Sequence, residues 1–347
     1  MGMSLSVLAS TAPQMPISSV EPLQQNIITS TEAVMHSARD VSICPDSIAK
    51  ISLSLSDNLI LRRPTWSRKD YERHFFDGTE TTAQWLFILT ALNFSFWADK
   101  EEPAWEVQYK GETVSGYWAL ACALKEAQER GVPLTDASFL ATIDRNKLKS
   151  ILGGVGPIPL LDERVHVLQE VGQTLQDLYL GKFTYIIEDA KGSAVKLANT
   201  VATQFSTLKD VAQYNGRDVV FLKRAQILAA DLWGAFRGES FGEFRDIDHL
   251  TIFADYRLPQ VLRAMGALVY SDSLSEKIAN LEEFDISSPE EIEIRAATIQ
   301  AVEAIKSAAA ARGVHCTALA LDWWLWNLSQ KTAYRPEPHH RVRTIFY

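Results

Sequence analysis

A chain of 347 residues, 47% of them hydrophobic and 22% charged, can bury a sizeable core, which excludes a disordered or fibrous protein. A formal net charge of −9 offers no global positive field to nucleic acid or to an anionic membrane, so any basic site must be local. The cysteines Cys44, Cys122 and Cys316 are too few and too scattered for a disulfide framework or a Cys-rich zinc site, as expected of a reducing compartment.

No apolar run reaches the roughly 20 residues that span a bilayer. The first Lys or Arg is Arg39, so the opening segment lacks the basic start of a secretory signal and the arginines of a mitochondrial presequence; a cytoplasmic protein is expected. Residues 1–29, rich in Ser, Ala, Pro, Gln and Thr, read as a flexible arm, and residues 30–347 as one domain. Short capped helices follow, one over 30–39 and one opened by Pro45 that carries Ile48, Ile51, Leu55 and Leu59. His74 then stands between charged residues and two phenylalanines, where a structural or solvated histidine is the commoner outcome.

Residues 82–97 are apolar nearly all round, which predicts a central element with Asn93 and Ser95 as polar guests in need of partners. Alternation over 105–114 with Lys110-Gly111 at its centre predicts a small β-hairpin, the one sheet of note. Helices are expected over 116–129, 135–150, 158–171 and 193–205. The turn ILGGVGP at 151–157 would join two of them in a helix-hairpin-helix manner, a weak signal that the acidic total charge opposes as a DNA site.

Residues 221–260 (FLKRAQILAADLWGAFRGESFGEFRDIDHLTIFADYRLPQ) mix charge with a strongly apolar pattern. Asp231 falls inside a helical apolar stretch, so it is paired, hydrogen-bonded or functional. Asp255 stands just before a helix N-terminus, where an N-cap, a salt bridge or a functional carboxylate are all open. Helices are expected over 259–270, 273–281 and 289–311, the last with Glu291, Glu293 and Arg295 on a charged outer face. The late helix at 317–330 sets Asp322 beside Trp323, Trp324, Trp326 and Asn327, and two adjacent tryptophans cannot share one side. The chain closes on HHRVRTIFY, a basic-aromatic tail that could dock or float.

Six blocks, ALNFSFW (91–97), SGYWAL (115–120), KRAQILAADLW (223–233), LTIFADYRLPQVLRAMGALVYS (250–271), EEIEIRAATIQAVE (290–303) and LDWWLW (321–326), together resemble the queuosine salvage protein family over about residues 30–347. The resemblance implies a mainly α-helical single domain, distantly similar to the helix-hairpin-helix DNA glycosylases. It also implies hydrolysis of queuosine 5′-monophosphate to queuine and ribose 5-phosphate. The His and Cys residues show no metal-ligand spacing and hydrolysis by carboxylates needs only water, so no metal or cofactor is expected, and the charge and hydropathy point to no duplex DNA and no membrane.

On that footing Asp255 is the candidate to stabilise or attack the developing oxocarbenium ion. Asp322, with Asp231 behind it, is the candidate to accept the N–H donors of a guanine-type edge. Phe253 and Trp323 would stack on the base, and His74 and Asn327 would contact substrate; relatives have Asp where this chain has Asn327. Lys223 and Arg224 are the candidate phosphate pair, with Arg341 and Arg343 as alternatives, although Arg224 could instead neutralise an internal acid. The competing classes are a non-catalytic binder of tRNA or a modified nucleotide, and a DNA-repair glycosylase.

Overall fold

A computed structural model describes residues 23–55 and 65–347; residues 1–22 of the expected arm, and Leu59, lie outside the described residues. The chain is mainly helical. Its first helix, α1 (Leu23–Met35), begins inside the stretch read as an arm. Ile27 and Val34, two turns apart, are both buried, and the Thr31 hydroxyl donates to the Ile27 carbonyl at 2.7 Å. Polar composition concealed the apolar face.

After β1 (Val41–Ile43) and α2 (Pro45–Ser54), the short helix α3 (Arg68–Arg73) is opened by a capping box between Ser67 and Asp70. The central helix α4 (Glu80–Ala91) is buried from Thr82 to Ala91, as its all-round apolar pattern requires. Strands β2 (Glu106–Tyr109) and β3 (Glu112–Ser115) form the expected hairpin and lead into α5 (Tyr117–Glu129). The single helix expected over 135–150 is two, α6 (Ala137–Ala141) and α7 (Arg145–Leu152), because the Asp144 side chain caps a new start by accepting from Lys147 N–H at 2.8 Å.

Helices α8 (Leu161–Tyr179), α9 (Thr184–Ala190) and α10 (Ala194–Gln204) follow, then a second hairpin of β4 (Val211–Tyr214) and β5 (Arg217–Val220). That hairpin corrects the expectation of a single sheet: Asn215-Gly216 sits in the left-handed region, the backbone a two-residue hairpin turn demands. Helix α11 (Lys223–Phe236) packs on α4 and α10. The helix expected over 259–270 is α12 (Arg257–Ala264). It stops before Gly266, and β6 (Leu268–Tyr270) then pairs antiparallel with β1. After α13 (Asp272–Ala279) and β7 (Glu283–Phe284), the long α14 (Pro289–Ala310) and α15 (Ala318–Ser329) complete the body, and β8 (Arg341–Val342) docks the tail on β7.

One apolar cluster runs through the body from Ile27 to Leu328. Against expectation, Glu291, Glu293 and Arg295 lie inside it rather than on an outer face. Glu293 accepts backbone N–H groups of Arg39, Asp40 and Val41 at 3.0, 2.7 and 3.2 Å and the Tyr214 hydroxyl at 2.7 Å, while Arg295 pairs with Asp210 at 2.5 Å. Charges with this many partners can be buried, and residue type alone does not reveal those partners. Among the described residues, no helix is long and apolar enough to cross a membrane.

Candidate active site

A cavity of about 420 Å³ opens between α11, the 251–258 segment, α15 and the loops around residues 93–97 and 115–118. Helix α11 lines it with Lys223, Ile227 and Asp231, spaced four apart on one face, so its two charged ends are separated by about 12 Å along the helix.

At the Lys223 end the loop that carries Phe253 and Asp255 is fixed along its length. Thr251 N–H donates to Gln226 Oε1 at 2.9 Å and Phe253 N–H to Asp322 Oδ2 at 2.9 Å. The Ala254 carbonyl accepts from Arg295 Nε at 3.1 Å. Asp255 Oδ1 accepts the N–H groups of Arg257 and Leu258 at 2.7 and 2.9 Å, so this residue is a helix cap and a cavity-lining carboxylate at once. Burial drives the Asp322 carboxyl well above the usual carboxylate range, against the Phe253 amide that favours its charged form. Burial likewise lowers the Lys223 ammonium, with Asp255 opposing. Lys223 N–H donates to Asp210 Oδ2 at 3.1 Å, and its ammonium has no hydrogen-bond or ion-pair partner among the described residues.

At the other end, His74 is buried and stacks on Trp66 with ring centroids 4.3 Å apart. Its Nδ1 lies 2.7 Å from the Asp70 carbonyl and its Nε2 2.6 Å from the Tyr117 hydroxyl. Burial lowers the ring to about 4, so it is neutral at physiological pH. Asp231 lines this end, its carboxyl raised to about 7 by burial and by the charge of Asp70. One turn on, Gly234 has no room for a side chain: a Cβ there would stand 2.7 Å from the Trp323 ring and 2.9 Å from that of Trp66. Asn327 is exposed at the rim and donates to the Trp323 carbonyl at 2.8 Å.

The cavity therefore brings together His74, Lys223, Asp231, Phe253, Asp255, Asp322, Trp323 and Asn327. Arg224 is not among them. Its guanidinium donates to the carbonyls of Ala91 and Thr207 and lies over Phe94, so it ties α11 to the core. The tail docks, but Arg341 and Arg343 lie over Trp97, and Arg343 is engaged by Asp99 and Glu283. Two other cations line the cavity, Arg257 and Arg335: Arg335 is lowered by burial and by the charge of Arg257, and its Nε is buried without a partner among the described residues. Arg257 adjoins Asp255 in the motif already singled out, whereas nothing in the sequence around Arg335 marked it. Tyr117 and the terminal Tyr347 were also missed; both were read only as parts of aromatic segments. A second cavity, of about 510 Å³, lies by Glu80, Gln84 and Lys182, where the Glu80–Lys182 charges already pair at 3.2 Å.

The model of the queuosine salvage protein family matches residues 73–347. Relatives named queuosine 5′-phosphate N-glycosylase/hydrolase include one from Sphaerobacter thermophilus, 46% identical over 321 residues that cover 92% of this chain and 97% of the relative. The Bos taurus relative is 34% identical over 92% of this chain and 97% of its own length. The one from Schizosaccharomyces pombe is 32% identical over 92% and 99% respectively. By family model and by relatives of matching length, the chain belongs to the queuosine salvage protein family.

Proposed function

We propose that this chain hydrolyses the N-glycosidic bond of queuosine 5′-monophosphate, releasing queuine and ribose 5-phosphate in the cytoplasm, with residues 30–347 acting as one catalytic unit. The observation that carries the reading is the meeting of Asp255, Asp322 and Lys223 with aromatic rings in a single cavity, in a chain whose relatives bear that activity in their names.

As the C1′–N9 bond breaks, its electron pair leaves with the base and positive charge grows on the ribose. The Asp255 carboxylate, held by two backbone N–H groups through one oxygen, is supplied to stabilise or attack C1′. A 7-deazaguanine has carbon in place of N7, so the departing base must take its proton elsewhere on the ring. Asp322, raised in pKa and anchored through Oδ2, is suited to hold the base edge and to pass on that proton. Water then completes the reaction, adding hydroxide to C1′ and returning a proton to the acid. Phe253 supplies a stacking face. Lys223, Arg257 and Arg335 replace the Lys223-Arg224 pair as the phosphate ligands.

A distant kinship to helix-hairpin-helix DNA glycosylases is what the family resemblance implies, whereas a DNA-repair activity would rest on the turn at 153–157 alone. There the Val155 amide is spent on the Glu106 carbonyl at 2.9 Å, which argues against a phosphate grip on duplex DNA. The purified protein, incubated with queuosine 5′-monophosphate and followed by chromatography, is expected to release queuine. No release from folded protein would reject the reading.

A further inference from the structure

We propose that the Asp231 end of the cavity recognises a protonated amine on the substrate's base, with the Asp231 carboxylate and the Tyr117 hydroxyl oxygen as its acceptors. The proposal rests on the reading of the cavity as a queuosine nucleotide site and adds which residues distinguish that base from a plain 7-deazaguanine. Queuine carries at position 7 a methylene, a secondary amine and a dihydroxycyclopentenyl ring, and the group assigned to Asp231 is the amine, protonated at neutral pH, so the change of ratio in Asp231→Asn isolates it.

The argument begins with a proton count. The Asp70 carbonyl can only accept, so the 2.7 Å contact places a hydrogen on His74 Nδ1. In a neutral imidazole the other nitrogen then only accepts, so the hydrogen in the 2.6 Å contact belongs to Tyr117. The Tyr117 hydroxyl has thus spent its one hydrogen on His74, and what it offers the cavity is a pair of lone pairs. It can accept from a ligand and cannot donate.

Asp231 is the second acceptor. Among the described residues no donor satisfies its carboxylate, although it lines the cavity and its charge reaches Tyr117. The charged and titratable groups around it are Asp70 on α3, His74 in neutral form, Tyr117 on α5, Asp322 on α15 and, two turns back on its own helix, Lys223. Beyond burial, Asp70 is the carboxylate that raises Asp231, while Lys69 and Arg73 of α3 lie over the Trp118 ring, Lys125 of α5 acts on His74, and Lys223, Arg257 and Arg335 line the cavity elsewhere. The walls match a cation as well. Trp66, Trp118, Trp323 and Trp326 line the same cavity, Trp326 lies 6.3 Å from Tyr117 and 5.8 Å from Trp118 between ring centroids, and the small Gly234 lets both Trp66 and Trp323 pack onto α11. The N–H edge of a neutral guanine-type base can also use two acceptors beside an aromatic wall; an ammonium gains in addition from the negative charge of Asp231.

The test reads binding without turnover. Queuine and 7-deazaguanine are titrated calorimetrically into the wild-type protein, Asp231→Asn and Tyr117→Phe, each checked for a native thermal transition. The wild type is expected to prefer queuine by about 30-fold or more, the gain from one charge-assisted contact. That ratio should fall below about 5 in Asp231→Asn, with Tyr117→Phe in between. The wild-type preference should also grow between pH 6 and 8 as Asp231 gives up its proton, and Asp231→Asn should not follow. Equal affinity for the two bases in the wild type, or an unchanged ratio in Asp231→Asn, would overturn the amine site while leaving the nucleotide site intact. Conversely, amine-dependent binding with no base release would leave this proposal standing and remove the hydrolase.

Discussion

Two groups of charge flank the loop that carries Asp255, and they are built on opposite plans. Behind the loop, Arg295 is held by Asp210 at 2.5 Å, by Glu291 at 3.3 Å and by the Ala254 carbonyl, with its guanidinium 3.9 Å from the Phe221 ring centroid and 4.4 Å from that of Tyr347. Burial alone would lower its pKa, yet Asp210 and Glu291 outweigh burial and raise it. In front of the loop, Asp231 and Asp322 are pushed toward their protonated forms and Lys223 toward its neutral form. Buried charge that is fully partnered fixes structure; buried charge left short of partners is available to a ligand. Asp210 joins the two groups, since one carboxylate pairs with Arg295 and also accepts the first amide of α11 at Lys223.

The sharpest way to break the contrast is to remove one member of each group. Asp255→Asn keeps an oxygen that can cap α12 but loses the negative charge. Its base release should fall by about 10³-fold or more, with unfolding free energy within about 1 kcal/mol of wild type. Arg295→Met should do the reverse in kind. Leaving Asp210 and Glu291 as unpaired buried acids should cost about 3–5 kcal/mol in urea unfolding, and activity should fall only as far as the Asp255 loop loosens. A normal rate from Asp255→Asn, or normal stability from Arg295→Met, would erase the distinction.

That distinction marks the limit of what could be read before the structure. Helices expected over 193–205, 289–311 and 317–330 were legible from their apolar patterns, and in the structure Ser193, Ser288 and Thr317 each accept a capping amide at their starts. Asp255 and Asp322 were legible as candidates because a carboxylate in an apolar block is costly without a purpose. Arg224 and the Glu291-Glu293-Arg295 run were misjudged because their partners lie far along the chain: Arg295 reaches Asp210 and Ala254, and Arg224 reaches Ala91 and Thr207. No local pattern records such a pairing. Arg335 escaped for the same reason, since only the fold brings it beside Arg257.

Asp231 sharpens the comparison through pH. Its folded pKa, about 7, lies above the ordinary 3.8, so the folded chain binds this proton more tightly than the unfolded chain does. Its contribution to stability is therefore fully present below 3.8 and is lost as pH rises through about 7. Asp231→Asn abolishes that loss, and in urea unfolding at pH 8 the variant should be more stable than wild type by on the order of 2 kcal/mol. The gain should shrink toward pH 4. His74 acts in the opposite sense: lowered to about 4, it destabilises the fold as pH falls below 6.5, in wild type and variant alike, so it cancels from the difference. A variant no more stable at pH 8 would mean that Asp231 is compensated after all.

The smallest effects separate cations of the same type. Arg335 lines the cavity with an unpartnered Nε, whereas Arg343, on the docked tail, is already engaged by Asp99 and Glu283 outside it. If partnering decides which arginine meets phosphate, Arg335→Ala should raise KM for the nucleotide by about tenfold with little change in stability, the weight of one charge-assisted contact. The same substitution should barely alter KM for the nucleoside that lacks the phosphate. Arg343→Ala should change neither KM, and as half of a partly exposed ion pair it should cost at most about 1 kcal/mol. Reversed results would place the phosphate on the tail and make the docking of Tyr347 part of substrate binding rather than of the frame.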